Sequence, residues 1–119
     1  MSEGFKIAGD IRLAQALAAE KNSDLLATRL QVAEINTHYD DAIGASRIKL
    51  NYLGRELENA NQALDSAWRR YRNFLGPLIE VREALRNLAR IRTQITDTQA
   101  ELVLALGSKA LLNGGVFAN

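Results

Sequence analysis

The side chains with the clearest capacity for chemistry are a pair of glutamates. Glu80 and Glu83 are three residues apart, and side chains at that spacing lie on one face of a helix. As a general acid and base they would need an enclosing pocket, and the sequence reveals none. In a symmetric assembly each glutamate would repeat around the axis, and such carboxylate rings select cations or hold a gate. The alternative is that both are surface charges paired with neighbours on the same helix.

His38 is the only histidine of the chain, and there is no cysteine. A metal site would need further ligands at fitting spacing around His38, and none are evident, so we expect an ordinary histidine on a helix surface. The sequence also lacks a phosphate-binding glycine loop and any pairing of a nucleophile with a base. We therefore expect no enzymatic activity, no metal and no cofactor.

Positive charge is concentrated between residues 69 and 92, which hold seven arginines and two glutamates. The arginines of this range that lie nearest the predicted turn are Arg69, Arg70, Arg72, Arg82 and Arg86. Arginines neutralise phosphates and aromatic rings stack on bases, so binding of nucleic acid or of an anionic lipid surface is one interpretation. The interleaved aromatic residues are Trp68, Tyr71 and Phe74. Because they fall on or beside an apolar helical row, we expect them to pack against another helix instead.

Two helices separated by Gly76 and Pro77 would position these residues. Pro77 lacks a backbone N–H and biases Gly76 away from the helical region, while Gly76 can adopt the positive φ that closes many helices. The first helix is predicted to end near Phe74 and the second to begin near Pro77. So short a connection favours an antiparallel hairpin.

The predicted organisation is one helical domain over residues 1–119. Its parts are an extended leading segment (1–9), a first arm (10–74), a turn (75–77), a second arm (78–112) and a tail (113–119). Asp10 is the predicted N-cap of the first arm. That arm is either continuous or broken near residues 22–24 or near Gly44. The tail begins at Asn113, where two following glycines predict a stop.

Apolar residues of both arms recur at alternating steps of three and four, which is typical of coiled coils. In the first arm they are Ile43, Leu50, Leu53, Leu57, Ala60, Leu64, Ala67, Tyr71 and Phe74, with Ser46 as the polar member of the row. In the second arm they are Leu78, Val81, Leu85, Leu88, Ile95, Leu102 and Leu106, interrupted by Arg92 and Gln99, with a neighbouring row of Ala84, Ile91, Ala105 and Leu112. The predicted fold class is all-α, a long antiparallel helical hairpin or coiled coil with unequal arms. A two-helix hairpin buries little surface, so we expect it to assemble.

Several motifs follow one another in an order that suggests a family. They are Gly9-Asp10-Ile11-Arg12, Ala18-Ala19-Glu20, Trp68-Arg69-Arg70-Tyr71, Ile79-Glu80-Val81-Arg82-Glu83-Ala84, the Leu-rich stretch 102–112 and Asn113-Gly114-Gly115. In this order and spacing the chain resembles one repeat, C-terminal in type, of TolC-type outer-membrane efflux and secretion channels. It departs from the family pattern at Phe74, where the family has glycine, and at Arg82, where the family prefers an apolar residue.

The resemblance implies a component of a trimeric α-helical tunnel in the periplasm. The 68–83 turn region would be the channel mouth and would dock a periplasmic adaptor hairpin. Glu80 and Glu83 would form its acidic constriction, and Tyr71 would help to hold the mouth closed. The implied location is the periplasm and outer membrane, with membrane contact only through other parts of the channel and no nucleic-acid partner. No signal peptide is visible, so a complete chain would be cytoplasmic.

Two other functions remain open on sequence alone. One is a self-assembling helical scaffold or adaptor with no transport role, in which the glutamates are only surface charges. The weaker one is a binder of nucleic acid or anionic lipid through the basic turn.

Overall fold

The computed structural model of the protein describes residues 2–117, with side chains described for residues 3–114. It contains two α-helices, α1 (Ser2–Arg72) and α2 (Leu78–Phe117), and the described residues include no strand. The predicted all-α hairpin fold is confirmed. The chain divides into two units, Met1–Thr37 and His38–Asn119. The second unit contains α1 from His38 onwards, the turn and α2.

One seam of small and branched side chains joins the helices of the second unit. From α1 it takes Ile43, Ser46, Leu53, Ala60 and Ala67, and from α2 it takes Val81, Leu88, Ile91, Thr98 and Ala105, all of them buried. Most of these residues are seven positions from the next, as expected where two helices pack along a coiled-coil seam. Leu57, Leu64 and Ile95 are partly buried and pack against the centre of the seam, which is formed by Ala60, Leu88 and Ile91.

The row predicted for α1 enters the seam as far as Ala67, but the face predicted for α2 is only half right. We define the flanking row as Leu78, Leu85, Arg92, Gln99 and Leu106, which the sequence placed in the seam together with Val81 and Leu88. All its members are exposed. The seam instead pairs Val81 and Leu88 with the neighbouring row that runs through Ile91 and Thr98. This rotation explains why the flanking row tolerates an arginine and a glutamine.

The helix ends differ from several predicted boundaries. The extended segment predicted over residues 1–9 is wrong for residues 2–9, and so is the N-cap at Asp10, because α1 begins at Ser2. Met1 lies outside the described residues. No break occurs near residues 22–24 or Gly44, and α2 runs through Gly114 and Gly115 to Phe117 rather than ending at 112. A glycine inside a helix costs about 1 kcal/mol relative to alanine, which without a nearby proline does not stop an otherwise helical stretch.

The first unit is helical and its described side chains are almost all exposed. Between residues 3 and 37 only Val32 and Asn36 are partly covered. Its large exposed apolar residues are Phe5, Ile7, Ile11, Leu13, Leu17, Leu25, Leu26, Leu30 and Ile35. An apolar surface of this extent is unusual for an isolated helix in water.

Candidate functional site

The candidate site is the end of the hairpin, residues 68–83, which we call the apex. Here α1 closes through two backbone hydrogen bonds: the N–H of Phe74 donates to the carbonyl of Tyr71 (3.1 Å) and the N–H of Leu75 donates to that of Arg70 (2.7 Å). This closure requires a left-handed residue between the helix and the following chain. The residue is Phe74, with φ of 59°, and no described glycine has a positive φ. The expectation that Gly76 takes this role is therefore wrong.

Gly76 has a different task, which is to leave room for a contact across the apex. A Cβ atom at this position would lie 3.2 Å from Cβ of Arg70 and 3.2 Å from Oε2 of Glu80. After it the carbonyl of Pro77 accepts the N–H of Glu80 at 3.2 Å, which is the first turn of α2. The second helix thus begins where Pro77 predicted, while α1 ends at Arg72 rather than at Phe74.

An ion pair links the last turn of α1 to the first turn of α2. Nη1 of Arg70 donates to Oε2 of Glu80 at 2.9 Å, and Nη2 of Arg70 lies 3.4 Å from the carbonyl oxygen of Leu75. Glu83 is exposed and forms no salt bridge within the described part of the chain. The two glutamates singled out by sequence therefore have different environments. One is neutralised within the chain, and the other keeps its charge facing solvent.

Apolar side chains are exposed around the apex, contrary to the expectation that its aromatic residues pack in the seam. Phe74 is 96% exposed and Leu75 is 71% exposed. The others are Trp68, Tyr71, Leu78 and Ile79, which are between 38% and 58% exposed. The prediction failed because the seam ends at Ala67 and Val81, where the chain turns from one helix into the next. The apolar sequence of the turn, Phe74-Leu75-Gly76-Pro77, was the available signal, since turns are usually polar.

The arginines of the basic turn fall into two groups. Arg69 pairs with Asp65 at 2.7 Å and Arg70 pairs with Glu80, so these two are neutralised locally. The second group has no salt bridge among the described residues and is exposed: Arg72, Arg82 and Arg86. The apex therefore combines exposed apolar side chains with guanidinium groups available to an outside partner.

Two shallow grooves lie along the hairpin away from the apex. The larger, about 590 Å³, is lined by residues that include His38, Tyr39, Ser46, Lys49 and Glu101. The rings of His38 and Tyr39 lie next to each other. Among the described residues, no group of three histidine or acidic side chains is placed to hold a metal ion. At this end of the hairpin, Lys109 on α2 forms an ion pair with Asp40 on α1.

The smaller groove, about 270 Å³, is lined by Glu56, Asn59, Asn87 and Arg90 among others. Next to it the hydroxyl of Tyr52 donates to Oε1 of Glu56 at 2.6 Å. This hydrogen bond, together with the negative charge of Glu56, raises the pKa of Tyr52 above its ordinary value of 10.0. Both residues lie on α1, one turn apart, so the contact is local to that helix.

Within the described residues, neither helix has a stretch apolar enough over sufficient length to cross a membrane. No protein-family model matches the chain, and comparisons with curated proteins and with solved structures likewise found no match. The resemblance to TolC-type channels thus stays a prediction that rests on the order and spacing of the sequence motifs.

Proposed function

We propose that this chain is a structural element of the helical tunnel of an outer-membrane efflux or protein-secretion duct. The observation that carries the proposal is the flanking row on α2, whose Leu78, Leu85 and Leu106 remain exposed beside a complete seam. A hairpin that has already filled its own seam and still presents an apolar row is built to pack against further helices. The order of the motifs shared with TolC-type channels supports a tunnel as the product of that packing.

Side-by-side packing through the flanking row would give a closed ring if the rotation between neighbours closes. Arg92 and Gln99 interrupt the apolar residues in the middle of this row. In the proposed assembly these two residues form polar contacts between helices, and such contacts fix the register of neighbouring helices. The exposed apolar residues of the first unit offer a second surface of the same kind.

The apex would form the mouth of the proposed tunnel and dock an adaptor hairpin. Because Arg70 neutralises Glu80 within the chain, the free charge of a constriction ring would come from Glu83. Tyr71 is 38% exposed on the last turn of α1 and is thus available for contacts with a neighbouring chain. The proposed conduction is passive, with the acidic ring favouring cations.

The first test is the mass of the chain in solution, measured by light scattering over a concentration series. We expect a trimer or a larger ring. The double substitution Leu85→Gln with Leu106→Gln should shift the assembly towards monomer. Ile48→Gln, which removes an apolar residue on α1 that is more exposed than either leucine, should not. A monomer at all concentrations would contradict the proposal.

The rival function is a helical scaffold or adaptor that assembles through the same row but transports nothing. The ion pair of Glu80 favours it, since a structural contact explains this residue without a gate. Negative-stain electron microscopy of the assembled chain separates the two. A ring with a central lumen supports the tunnel, whereas a solid bundle or an open filament supports the scaffold.

A further inference from the structure

The apex displays apolar side chains at the end of the hairpin, just beyond the last seam residues Ala67 and Val81. Phe74 and Leu75 are largely free of contact, and Ile79 on the first turn of α2 is 58% exposed. Together with Leu78 and Trp68 they surround the end of the hairpin on both helices. Water-exposed apolar residues that cluster in this way often mark an interaction surface, whereas apolar residues exposed singly do not.

The backbone of Phe74 adds an independent observation. A phenylalanine in the left-handed region is strained, and glycine or asparagine is the usual residue at this position of a helix end. Gly76 lies only two residues further on and does not take the position. The strained conformation directs a bulky ring into solvent, where it makes almost no contact within the protein. The closure of α1 accounts for a left-handed residue at this position, but not for a phenylalanine, whose ring has no packing partner within the described part of the chain. A bulky residue kept at a strained position without such a partner points to a contact made outside the chain.

The charge of the apex defines the chemistry of that contact. Arg72 ends α1 two residues before Phe74, and Arg82 lies one turn into α2. Neither has an acidic partner among the described residues, and one of the two apex glutamates is already neutralised by Arg70. Counting Arg86, three arginines unpaired within the described chain stand against the one unpaired carboxylate there, Glu83. The surface is therefore apolar at its end and net cationic around it, the arrangement that side chains adopt at the interface of an anionic bilayer.

We propose that the hairpin apex docks on the surface of an anionic lipid bilayer, with Phe74 and Leu75 in the headgroup region and Arg72 and Arg82 at lipid phosphates. Between residues 74 and 79 only one exposed apolar side chain, Phe74, is aromatic, while Leu75, Leu78 and Ile79 are aliphatic. A surface for single-stranded nucleic acid would present several rings for base stacking. This contact goes beyond the proposed tunnel and does not depend on it.

The test is flotation of the full chain with vesicles of phosphatidylglycerol and phosphatidylcholine, against vesicles of phosphatidylcholine alone. We expect binding to the anionic vesicles, weakened by salt, with a blue shift in the emission of Trp68, the single tryptophan. Phe74→Asn suits the left-handed backbone and preserves the fold, yet it should weaken binding about tenfold, as expected for loss of a buried ring. Ile48→Asn, which removes an exposed apolar residue far from the apex, should leave binding unchanged.

The contribution of the arginines to lipid binding is tested with one double variant and a matched control. Arg72→Gln with Arg82→Gln should weaken binding to anionic vesicles about tenfold or more, whereas Arg47→Gln with Arg55→Gln, on exposed positions in the middle of α1, should have little effect. Equal effects of the two pairs, equal effects of Phe74→Asn and Ile48→Asn, or binding to a single-stranded oligonucleotide without binding to vesicles would each overturn the proposal. Light scattering on the same samples reports assembly separately, so failure of the tunnel would be recognised as such.

Discussion

Arg70 and Glu80 are ten residues apart in the chain and meet across the apex, with Nη1 of one 2.9 Å from Oε2 of the other. Both side chains are partly exposed, so the pair contributes less than about 1 kcal/mol to stability. Its main effect is geometric. It holds the first turn of α2 against the last turn of α1, over a glycine whose missing side chain makes the contact possible.

That pairing predicts unequal roles for the two acidic residues in the proposed tunnel. Glu83→Gln should reduce cation selectivity of the assembled duct strongly, whereas the paired change Arg70→Gln with Glu80→Gln should reduce it only weakly, because it removes both members of an ion pair and leaves the net charge unchanged. The measurement is the reversal potential in a salt gradient across a planar bilayer. Glu58→Gln, an exposed acid remote from the apex, is the control. Equal effects of the Glu83 variant and of the paired Arg70 and Glu80 variant would contradict the assignment.

The left-handed backbone of Phe74 predicts that one substitution at the apex stabilises the protein. Phe74→Gly should raise the free energy of unfolding by about 1 kcal/mol, since glycine adopts this conformation without a clash. The ring has almost no contacts to lose. Phe74→Ala is the control, because it removes the ring and keeps the strain, and it should change little. Thermal unfolding followed by circular dichroism, at one protein concentration, compares them.

Thr98 is a polar residue of the seam, and we expect its replacement by valine to raise the free energy of unfolding. It is 1% exposed, and its hydroxyl donates to the carbonyl of Gln94 in its own helix at 2.7 Å. That carbonyl can keep its backbone partner, so Thr98→Val should stabilise the hairpin by about 0.5–1 kcal/mol through added apolar burial. Thr98→Ala should destabilise it by about 1 kcal/mol, because it leaves a small cavity. Denaturant unfolding measures the stability of both variants. A valine variant less stable than the alanine variant would show that the hydroxyl is needed.

We expect the ionisation of Tyr52 to make the stability of the fold depend on pH in the alkaline range. Its hydrogen bond to Glu56 and the charge of that carboxylate raise its pKa above 10.0 in the folded chain. A group with a raised folded-state pKa stabilises the fold fully below its unfolded pKa, and this contribution disappears as the pH rises through the folded value. Glu56→Ala should therefore lower the pKa of Tyr52 towards its ordinary value. Ultraviolet difference titration of the two proteins measures the change, and identical titrations would rule out Glu56 as the cause of the shift.

The turn of this protein shows how far local rules reach. Proline at position 77 located the start of the second helix because its restricted backbone acts on its immediate neighbours. The same rules misplaced the left-handed residue by two positions. The hydrogen bonds from Phe74 and Leu75 to the last turn of α1 determine that position, while Gly76 leaves room for the contact between Arg70 and Glu80.

The sequence by itself determined that the chain is helical, that a turn interrupts it near Pro77, and that Ile43 to Ala67 supply one side of a seam. These features depend on periodicity and backbone restriction, which act over a few residues. Only the tertiary structure decided which of two apolar rows on α2 enters the seam, and that the seam stops short of Tyr71 and Phe74. Both decisions depend on the rotation of one helix against the other and on where the chain reverses. Such relations between distant residues are set by the packing of whole helices, because a row is buried only if a partner lies against it.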